Sequence, residues 1–398
     1  MAYYALVPAE VISVLRPHDG HFLPNLNSLA LHCFPEHSIP SIPLLLSPKV
    51  TSVLLFFAYD VSKAAVAPVI KTLPTLCPNL CSIDLRVRLG DPTPTVRPID
   101  PTITAVVSEM LLVTDRNILQ RLHVNSPLTD EANQVVYKLP NLGELWVTID
   151  GPGSLPTFAL PSLTTMEVEY DGHHGWLQGF RGAALEKLTS ITLRSHSPLV
   201  GEFLGAFESV AFTTSITETL SEFKHYTPHS WRPKYRSLLP FTQLKELEIR
   251  SSCRNHCSST ADDSIITDLA RAMPKLEILS LGSTPCSIPA GVTVKGLAAL
   301  AYHCLRLSRL CVHFQIPNLD PSVIPQVAPG GESAIPREDC ALTDLDAGAI
   351  PVSEESASVV ALTLLRIFPR LETIYYNIRE WEKVAHAINF QRTCRSLK

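Results

Sequence analysis

A short leucine pattern recurs along the whole of this 398-residue chain. The phrase LPNLNSLAL at Leu23–Leu31 returns as LPNLGELWV at Leu139–Val147. Reduced to LxxLxL, with other apolar residues allowed in place of leucine, the pattern occurs thirteen times at intervals of 21 to 39 residues. The copies begin at Leu26, Val50, Leu80, Leu119, Leu142, Leu163, Leu188, Leu220, Leu244, Leu276, Leu307, Leu342 and Leu371. Self-similarity at such a spacing is the signature of a repeat protein.

Each copy predicts one β-strand. Its last four positions alternate apolar and polar residues, as in SLAL, SIDL and ELEI, which is the period of a strand with one buried face. Between copies, apolar residues take helical spacing over Asp262–Met273, Val292–Cys304, Glu354–Phe368 and Ile103–Asp115. One strand with its return segment cannot bury both of its faces, so neighbouring units must stack with their strands in parallel.

The repeat therefore predicts an α/β fold, a right-handed leucine-rich-repeat solenoid of horseshoe shape. Its parallel β-sheet is expected on the concave face, with helices and irregular turns on the convex face. We expect one repeat domain at residues 23–378, an N-terminal cap at residues 1–22 and a C-terminal helical cap at residues 379–398 with its helix at Arg379 to about Phe390. The Pro-rich segments 91–101 and 315–339 are predicted to be surface loops, the second of them mobile.

The position at which many leucine-rich repeats carry a ladder-forming asparagine has other residues here. Phe34, Ala58, Arg88, Pro127 and Asp150 occupy it in five of the copies. Buried backbone N–H and C=O groups need partners, so we expect the backbone of these repeats to be satisfied in another way.

Charge and hydropathy exclude several classes of function. The formal net charge is −5 without any block of like charges, so nothing indicates binding to nucleic acid or to an anionic membrane. The longest uncharged run, Ile278–Val294, contains Pro285, Pro289 and polar residues, and it is not expected to span a bilayer as a helix. The N-terminal residues lack the pattern of a secretory signal. We therefore predict an intracellular protein, cytoplasmic or nuclear.

Motifs for catalysis and cofactor binding are absent from the sequence. GxxxxGK[ST], GxSxG, GxGxxG and HExxH do not occur, so we predict neither an enzyme nor a cofactor. The ten cysteines form no CxxC pair, and most are expected to be buried thiols rather than disulfides.

One set of residues raises the question of a metal. His225 and His229 follow one predicted strand, and Cys253 and Cys257 follow the next. A zinc ion that links the two repeats through these four side chains is one hypothesis. We prefer the interpretation that they are unrelated loop residues and predict no metal site.

The expected binding surface is the strand face that points away from the core, because the residues between the leucines point outward. Partner-binding residues are predicted to be Arg86, Arg121, His123, Glu144, Trp146, Glu169, Arg194, Glu248, Arg250, His313 and Tyr375. Asp84, Glu167, Lys245, Arg309 and Asn377 are expected on the same face. Aromatic and arginine side chains are enriched at binding hot spots, which makes Trp146 the strongest candidate.

Several copies resemble the cysteine-containing leucine-rich repeats of F-box proteins, fungal ones in particular. VTVKGLAALAYHCLRLSRLCV at Val292–Val312 matches that pattern through Thr293, Gly296, Leu297, Leu300, Ala301, Cys304, Leu307 and Leu310. SIITDLARAMPKLEILSL at Ser264–Leu281 is similar to it, with Met273 where the family usually has cysteine. The resemblance covers roughly residues 23–376.

The resemblance implies the substrate-recognition domain of a cullin-type (SCF) ubiquitin ligase receptor. In that family an F-box, a three-helix module ahead of the repeats, docks onto the Skp adaptor, and the repeats select the protein substrate. Only 22 residues precede the first repeat, where LVPAEVISVL at Leu6–Leu15 echoes the opening of an F-box. We therefore expect the Skp adaptor and cullin as partners only if an F-box lies upstream. The alternative is a standalone leucine-rich-repeat scaffold or inhibitor without a role in ubiquitin transfer.

Overall fold

A computed structural model of the protein describes thirteen β-strands and eight α-helices. The described residues are 23, 25–32, 36–57, 61–87, 101–149, 157–170, 175–180, 183, 185–195, 216–227, 235–251, 261–282, 291–315, 339–348, 352–376 and 379–396. No helix among them is long and apolar enough to cross a membrane. The predicted cap at residues 1–22 lies outside them, as do nearly all residues of the two predicted Pro-rich loops. The chain divides into two compact units, Met1–Leu188 (unit 1) and Thr189–Lys398 (unit 2).

Unit 1 contains six of the strands, paired in parallel in chain order. They are β1 (Ser28–His32), β2 (Ser52–Phe57), β3 (Ser82–Val87), β4 (Arg121–Val124), β5 (Glu144–Ile149) and β6 (Thr165–Tyr170). The α-helices are α1 (Lys63–Leu76), α2 (Pro101–Val113) and α3 (Asp130–Val136), with 3-10 helices at Glu36–Leu45 and Gly175–Phe180.

Unit 2 contains the other seven strands, which also pair in parallel in chain order. They are β7 (Ser190–Ser195), β8 (Glu222–Thr227), β9 (Glu246–Ser251), β10 (Ile278–Gly282), β11 (Arg309–Val312), β12 (Asp344–Gly348) and β13 (Thr373–Tyr376). Its α-helices are α4 (Ile216–Thr219), α5 (Asp263–Ala272), α6 (Val294–His303), α7 (Ala357–Ile367) and α8 (Trp381–Ser396). Tyr235–Leu238 and Glu354–Ser356 form 3-10 helices.

Every strand begins two residues after the first apolar residue of one copy of the pattern, as β9 begins at Glu246 after Leu244. The predicted α/β class with parallel strands is therefore confirmed. The four predicted helices are present as α5, α6, α7 and α2, with boundaries within a few residues. The C-terminal helix α8 is also present, and it continues past the expected end at Phe390 to Ser396.

The core is built from the alternate strand residues and from one stripe of each longer helix. In β2, Val53, Leu55 and Phe57 are buried, while the residues between them are partly exposed. Helix α1 buries Val66 and Ile70 at helical spacing. Burial of such side chains stabilises the fold by about 1.5 to 3 kcal/mol each, which explains why the leucine pattern recurs.

Within each unit, a backbone ladder joins neighbouring repeats where the strands begin. The carbonyl of the second pattern position accepts two N–H groups of the next copy: the Cys81 carbonyl accepts from Gln120 N at 2.8 Å and Arg121 N at 3.0 Å. Side chains at the second pattern position also donate a hydrogen bond to the second-position carbonyl of the preceding copy. They are those of Thr51, Cys81, Thr164, Ser221, Ser308 and Thr343. These contacts satisfy backbone carbonyls in repeats that lack the usual asparagine.

A carboxylate joins two helices of unit 2. Asp263, at the start of α5, accepts hydrogen bonds from Thr293 N at 2.7 Å, Thr293 Oγ1 at 2.6 Å and Gly296 N at 3.0 Å. A Cβ atom on Gly296 would lie 2.7 Å from Asp263 Oδ1 and 3.0 Å from a methyl group of Val292. The threonine and the glycine of this copy are thus required by contact with the preceding helix.

The described cysteines are free thiols. Burial raises the pKa of Cys77 to about 11 and that of Cys304 to about 12. Cys340 is buried as well, whereas Cys81, Cys311 and Cys394 are partly exposed. Thiols with a raised pKa carry little thiolate at neutral pH, so Cys77 and Cys304 act as small apolar core residues.

Candidate functional site

The side chains that alternate with the buried strand residues form the outward face of each unit. In unit 1 this face contains Ser28, Ala30, His32, Ser52, Leu54, Phe56, Ser82, Asp84, Arg86, Arg121, His123, Glu144, Trp146, Thr148, Thr165, Glu167 and Glu169. Strand register places Asp84, His123, Trp146 and Glu167 in one row across four strands. Side chains in such a row are close enough to interact directly.

Asp84 organises the centre of this face. Its carboxylate accepts two hydrogen bonds from Arg86, from Nε and Nη2, both at 2.8 Å. Nδ1 of His123 lies 3.3 Å from Asp84 Oδ2. Burial alone would raise the pKa of Asp84, but the hydrogen bonds from His123 and Arg86 outweigh burial, so the pKa lies below its ordinary value. Asp84 is therefore a buried, ionised anchor for two neighbouring side chains.

Trp146 is held between the two side chains that contact Asp84. The guanidinium carbon of Arg86 lies 4.6 Å from the centroid of the Trp146 ring system, a cation–π distance. The His123 ring meets Trp146 edge to face, with centroids 5.8 Å apart. The indole N–H is shielded from solvent and has no hydrogen-bond acceptor in the described part of the chain. The ring thus has a fixed position on the outward face.

A second arginine–carboxylate pair completes the group. Arg121 binds Glu144 through Nε to Oε2 at 2.7 Å and Nη2 to Oε1 at 2.8 Å, a two-bond geometry that favours fixed side chains. Nε2 of His123 lies 3.7 Å from Glu144 Oε2, so the imidazole links both pairs. We call these six residues the Trp146 cluster: Asp84, Arg86, Arg121, His123, Glu144 and Trp146.

Unit 2 carries a separate cluster on its own outward face, centred on Lys224. The Lys224 ammonium contacts Glu222, lies 3.0 Å from Glu246 Oε1 and lies 3.9 Å from Glu248 Oε1. Burial would lower the pKa of Lys224, but the carboxylates outweigh burial and raise it. Burial and a hydrogen bond with Glu248 raise the pKa of Glu246. Lys224 is thus a cation shared by three carboxylates.

Two further side chains surround Glu248. Arg250 Nη2 lies 2.7 Å from Glu248 Oε2, and the Tyr226 hydroxyl donates to the same oxygen at 3.4 Å. The guanidinium carbon of Arg194 lies 5.0 Å from the Tyr226 ring centroid. Glu248 is only 7% exposed, so it corresponds to Asp84 of unit 1: a buried carboxylate that holds cations on the outward face.

The structure brings most of the predicted binding residues together in these two groups. Five of them, Arg86, Arg121, His123, Glu144 and Trp146, belong to the Trp146 cluster. Arg194, Glu248 and Arg250 belong to the group around Lys224. On β6, Glu167 is in register with Trp146 and Glu169 is in register with Thr148.

The remaining predicted residues are placed apart from both groups. Tyr375 is 49% exposed, and its hydroxyl donates to Asp344 Oδ1 at 3.2 Å. Arg309 opens β11, and Lys245 lies one residue before β9. His313 is 9% exposed and follows the end of β11, next to Phe314, which bridges to Val292. That His313 contacts a partner stays a prediction. Asn377 lies outside the described residues.

Sequence reasoning missed several members of the outward face. Glu222, Lys224 and Tyr226 were not predicted because LSEFKHY is a loose copy of the pattern, and Glu246 was not predicted although its copy, LKELEI, is regular. The alternation within EFKHY nevertheless carries the signal, since Glu222, Lys224 and Tyr226 are spaced by two. Leu54 and Phe56 were also missed, because apolar residues were expected to point inward.

The hypothesis of a zinc site between two repeats fails at one of its four ligands. His225 does not follow β8 but lies within it, fully buried and in register with the core residues Leu193 and Ile249. His229, Cys253 and Cys257 are outside the described residues. No group of three or more histidine, cysteine or acidic side chains that could hold a metal ion occurs in the part of the chain that the structure describes.

A scan against protein-family models and a search of curated proteins find no match for this chain. The likeness to F-box repeat proteins therefore rests on the motif residues quoted above.

Proposed function

We propose that both units have the leucine-rich-repeat fold and that the outward face of their strands binds a protein partner. The fold proposal is supported by the thirteen pattern copies, each of which contributes one strand, and by the parallel pairing of these strands in chain order within each unit. It is supported further by the Asp263 contacts, which give a physical reason for Thr293 and Gly296 in the copy that most resembles the F-box repeat family.

The observation that carries the binding proposal is the Trp146 cluster. Association costs about 0.5 to 1.5 kcal/mol for each rotamer-rich side chain that is immobilised on binding. Arg86 and Arg121 are already held by two hydrogen bonds each, and Trp146 is held between Arg86 and His123. Fixed tryptophan and arginine side chains are the kind that dominate binding energy at protein interfaces.

The role that the resemblance suggests is substrate recognition for an SCF-type ubiquitin ligase. In that role the outward face selects the protein to be modified, and the Skp adaptor and cullin associate through an F-box upstream of the repeats. A standalone scaffold or inhibitor would use the same face without those two partners.

Affinity purification of the native protein from its own cells tests both levels of the proposal. The wild type, Trp146→Ala and the control Glu131→Lys are purified side by side, and the associated proteins are quantified by mass spectrometry. Glu131 is an exposed residue of α3, away from the strands. A partner that is lost with Trp146→Ala and retained with Glu131→Lys supports the binding face. Skp adaptor and cullin in the same preparations support the ligase role, and their consistent absence favours the scaffold.

A further inference from the structure

Strand β13 forms an edge of the sheet of unit 2. It pairs with β12 on one side, and no described strand pairs with its other side. The helical layer beside it ends at α8, which packs against α7 and buries Trp381, Val384 and Ile388, while most of its exposed residues are polar. A polar outer face is what a terminal repeat requires. Among the described residues, the helical layer of unit 2 is therefore closed, whereas the strand layer has an unpaired edge.

The backbone groups at this edge follow from the ladder of unit 2. At each step from Thr189 to Thr343, the carbonyl at the second pattern position accepts two N–H groups of the next copy. Glu372 holds that position in the copy of β13, and its carbonyl has no donor among the described residues. Thr373 N donates to the Thr343 carbonyl of the preceding copy at 2.8 Å, and successive residues of a strand direct their backbone groups to alternate sides. The N–H and C=O of Ile374 therefore point to the open edge.

The core is less completely covered at this edge than in the inner strands of unit 2. The fourth pattern position is 0% exposed at Leu310 and Leu345, whereas Ile374 is 8% exposed. The ring of Tyr375 is exposed and is held by a hydrogen bond from its hydroxyl to Asp344. Open backbone groups beside an apolar side chain and a fixed aromatic ring suit the addition of an extended segment as a further strand.

The repeats themselves define the segment that fits this edge. A hydroxyl at the second pattern position donates to the carbonyl of the preceding copy in three copies of unit 2, those of Ser221, Ser308 and Thr343. The fourth position is apolar in every copy of unit 2. A segment that continues the ladder therefore needs a serine or threonine to donate to the Glu372 carbonyl and, two residues later, an apolar side chain to cover Ile374. The next residue lies beside Tyr375, because the fifth positions of neighbouring strands are in register.

We propose that β13 binds an extended segment of a second protein, which adds to unit 2 as a parallel strand and carries Ser/Thr-x-apolar-x at positions two to five of the repeat pattern. The N–H of its third position donates to the Glu372 carbonyl, and the N–H of its fifth position donates to the Ile374 carbonyl. The C=O of its third position accepts from Ile374 N. This surface is separate from the Trp146 cluster and binds independently of it.

Peptide binding to the full-length chain tests this proposal. The probe is LTSITLRS, the sequence of residues 188–195, which has the required pattern; it is acetylated at its N-terminus and carries a fluorescent label at its C-terminus. In one modified peptide, the backbone nitrogens of the third and fifth positions are methylated, which removes both donors to β13. In the matched control, methylation is at the fourth and sixth positions, whose N–H groups point away from β13. Binding is measured by fluorescence anisotropy.

Two protein variants locate the peptide on the chain. Tyr375→Ala removes the exposed ring of β13, and Phe390→Ala, which removes an exposed aromatic ring of α8, is its control. The comparison of the methylated peptides uses the wild type alone and does not depend on the folding of either variant.

The unmodified peptide and the control peptide should bind the wild type with similar affinity. Methylation at the third and fifth positions removes two hydrogen bonds and should weaken binding by at least about tenfold. Replacement of the peptide's threonine at the second position by alanine removes one hydrogen bond and should weaken binding by about fivefold. Tyr375→Ala should weaken binding by at least about fivefold, as for an aromatic anchor, and Phe390→Ala should leave it unchanged.

Several results would overturn the proposal. They are no binding of the unmodified peptide, binding that survives methylation at the third and fifth positions, and equal loss with both methylated peptides. Binding that Tyr375→Ala does not weaken would place the peptide at another site. Self-association of the chain in sedimentation velocity that Tyr375→Ala abolishes would show that a second copy occupies the edge, which contradicts the assignment to a different protein.

Discussion

Replacement of Asp263 by alanine tests how neighbouring repeats of unit 2 hold together. The carboxylate accepts three hydrogen bonds, two from Thr293 and one from Gly296 N, at 2.6 to 3.0 Å. Each such bond contributes about 1 kcal/mol, and the part-buried N–H groups lose their acceptor when the carboxylate is removed. We therefore expect Asp263→Ala to lower the free energy of unfolding by about 3 kcal/mol.

The adjacent aspartate provides a matched control. Asp262 Oδ1 caps its own helix α5 through a single hydrogen bond from Ile265 N at 2.9 Å. Asp262→Ala should therefore lower the free energy of unfolding by only about 1 kcal/mol. Both variants are compared with the wild type by urea unfolding followed by far-ultraviolet circular dichroism. Gly296→Ala should also be destabilising, because its Cβ would lie 2.7 Å from Asp263 Oδ1. If Asp263→Ala costs no more than Asp262→Ala, the contact between the two helices does not stabilise the fold as we argue.

Three other expectations follow from single side chains. Tyr137 is fully buried, and its hydroxyl has no hydrogen-bond partner among the described residues. Tyr137→Phe should therefore leave the free energy of unfolding unchanged or raise it by up to about 1 kcal/mol, which gives an equal or higher melting temperature. A clear decrease in the melting temperature would show that the hydroxyl is satisfied. The pKa of Asp84 is lower in the folded chain, so its stabilisation is present above the ordinary value of about 3.9 and is lost as pH falls below it. The urea midpoint should therefore fall less between pH 7 and pH 3 in Asp84→Asn than in the wild type, and equal falls would contradict the assignment. Lys224→Met should lower the free energy of unfolding by about 1.5 to 3 kcal/mol at pH 7, because three carboxylates lose their shared cation. Adding Glu246→Gln to that variant should recover part of the loss. An unchanged urea midpoint in Lys224→Met would refute the role of the ammonium.

The strands could be predicted from the sequence because their signal is local. A buried strand face requires an apolar residue at every second position, and the last two leucine positions of LxxLxL have this spacing in each copy. Helices α5 and α6 were predictable for the same reason, since their apolar stripe is regular and Asp262 and Thr293 mark their starts. Helix α1 was not predicted. Pro68 and Pro74 lie within it, and proline in a helix interior is normally read as a break.

The side-chain groups on the outward face were only partly predictable. The sequence shows that Asp84 and Arg86 share one strand face, but the link from Asp84 to His123 depends on register between strands 39 residues apart. Trp146 could be predicted as an outward aromatic residue, whereas its contact with Arg86 joins β3 to β5. The zinc hypothesis placed His225 after its strand, whereas it occupies a leucine position of the repeat within the strand. A polar residue at a core position cannot be recognised as buried from the apolar pattern.

Site-specific photo-crosslinking tests the central claim, that the outward strand face binds a protein partner. A photoreactive amino acid is introduced at Thr165, exposed on the outward face, or at Glu131, exposed on helix α3, and the protein is irradiated in its own cells. We predict a covalent adduct with one partner protein from position 165 and none with that partner from position 131. Crosslinking to that partner from the helix position alone, or equally from both positions, would contradict the account.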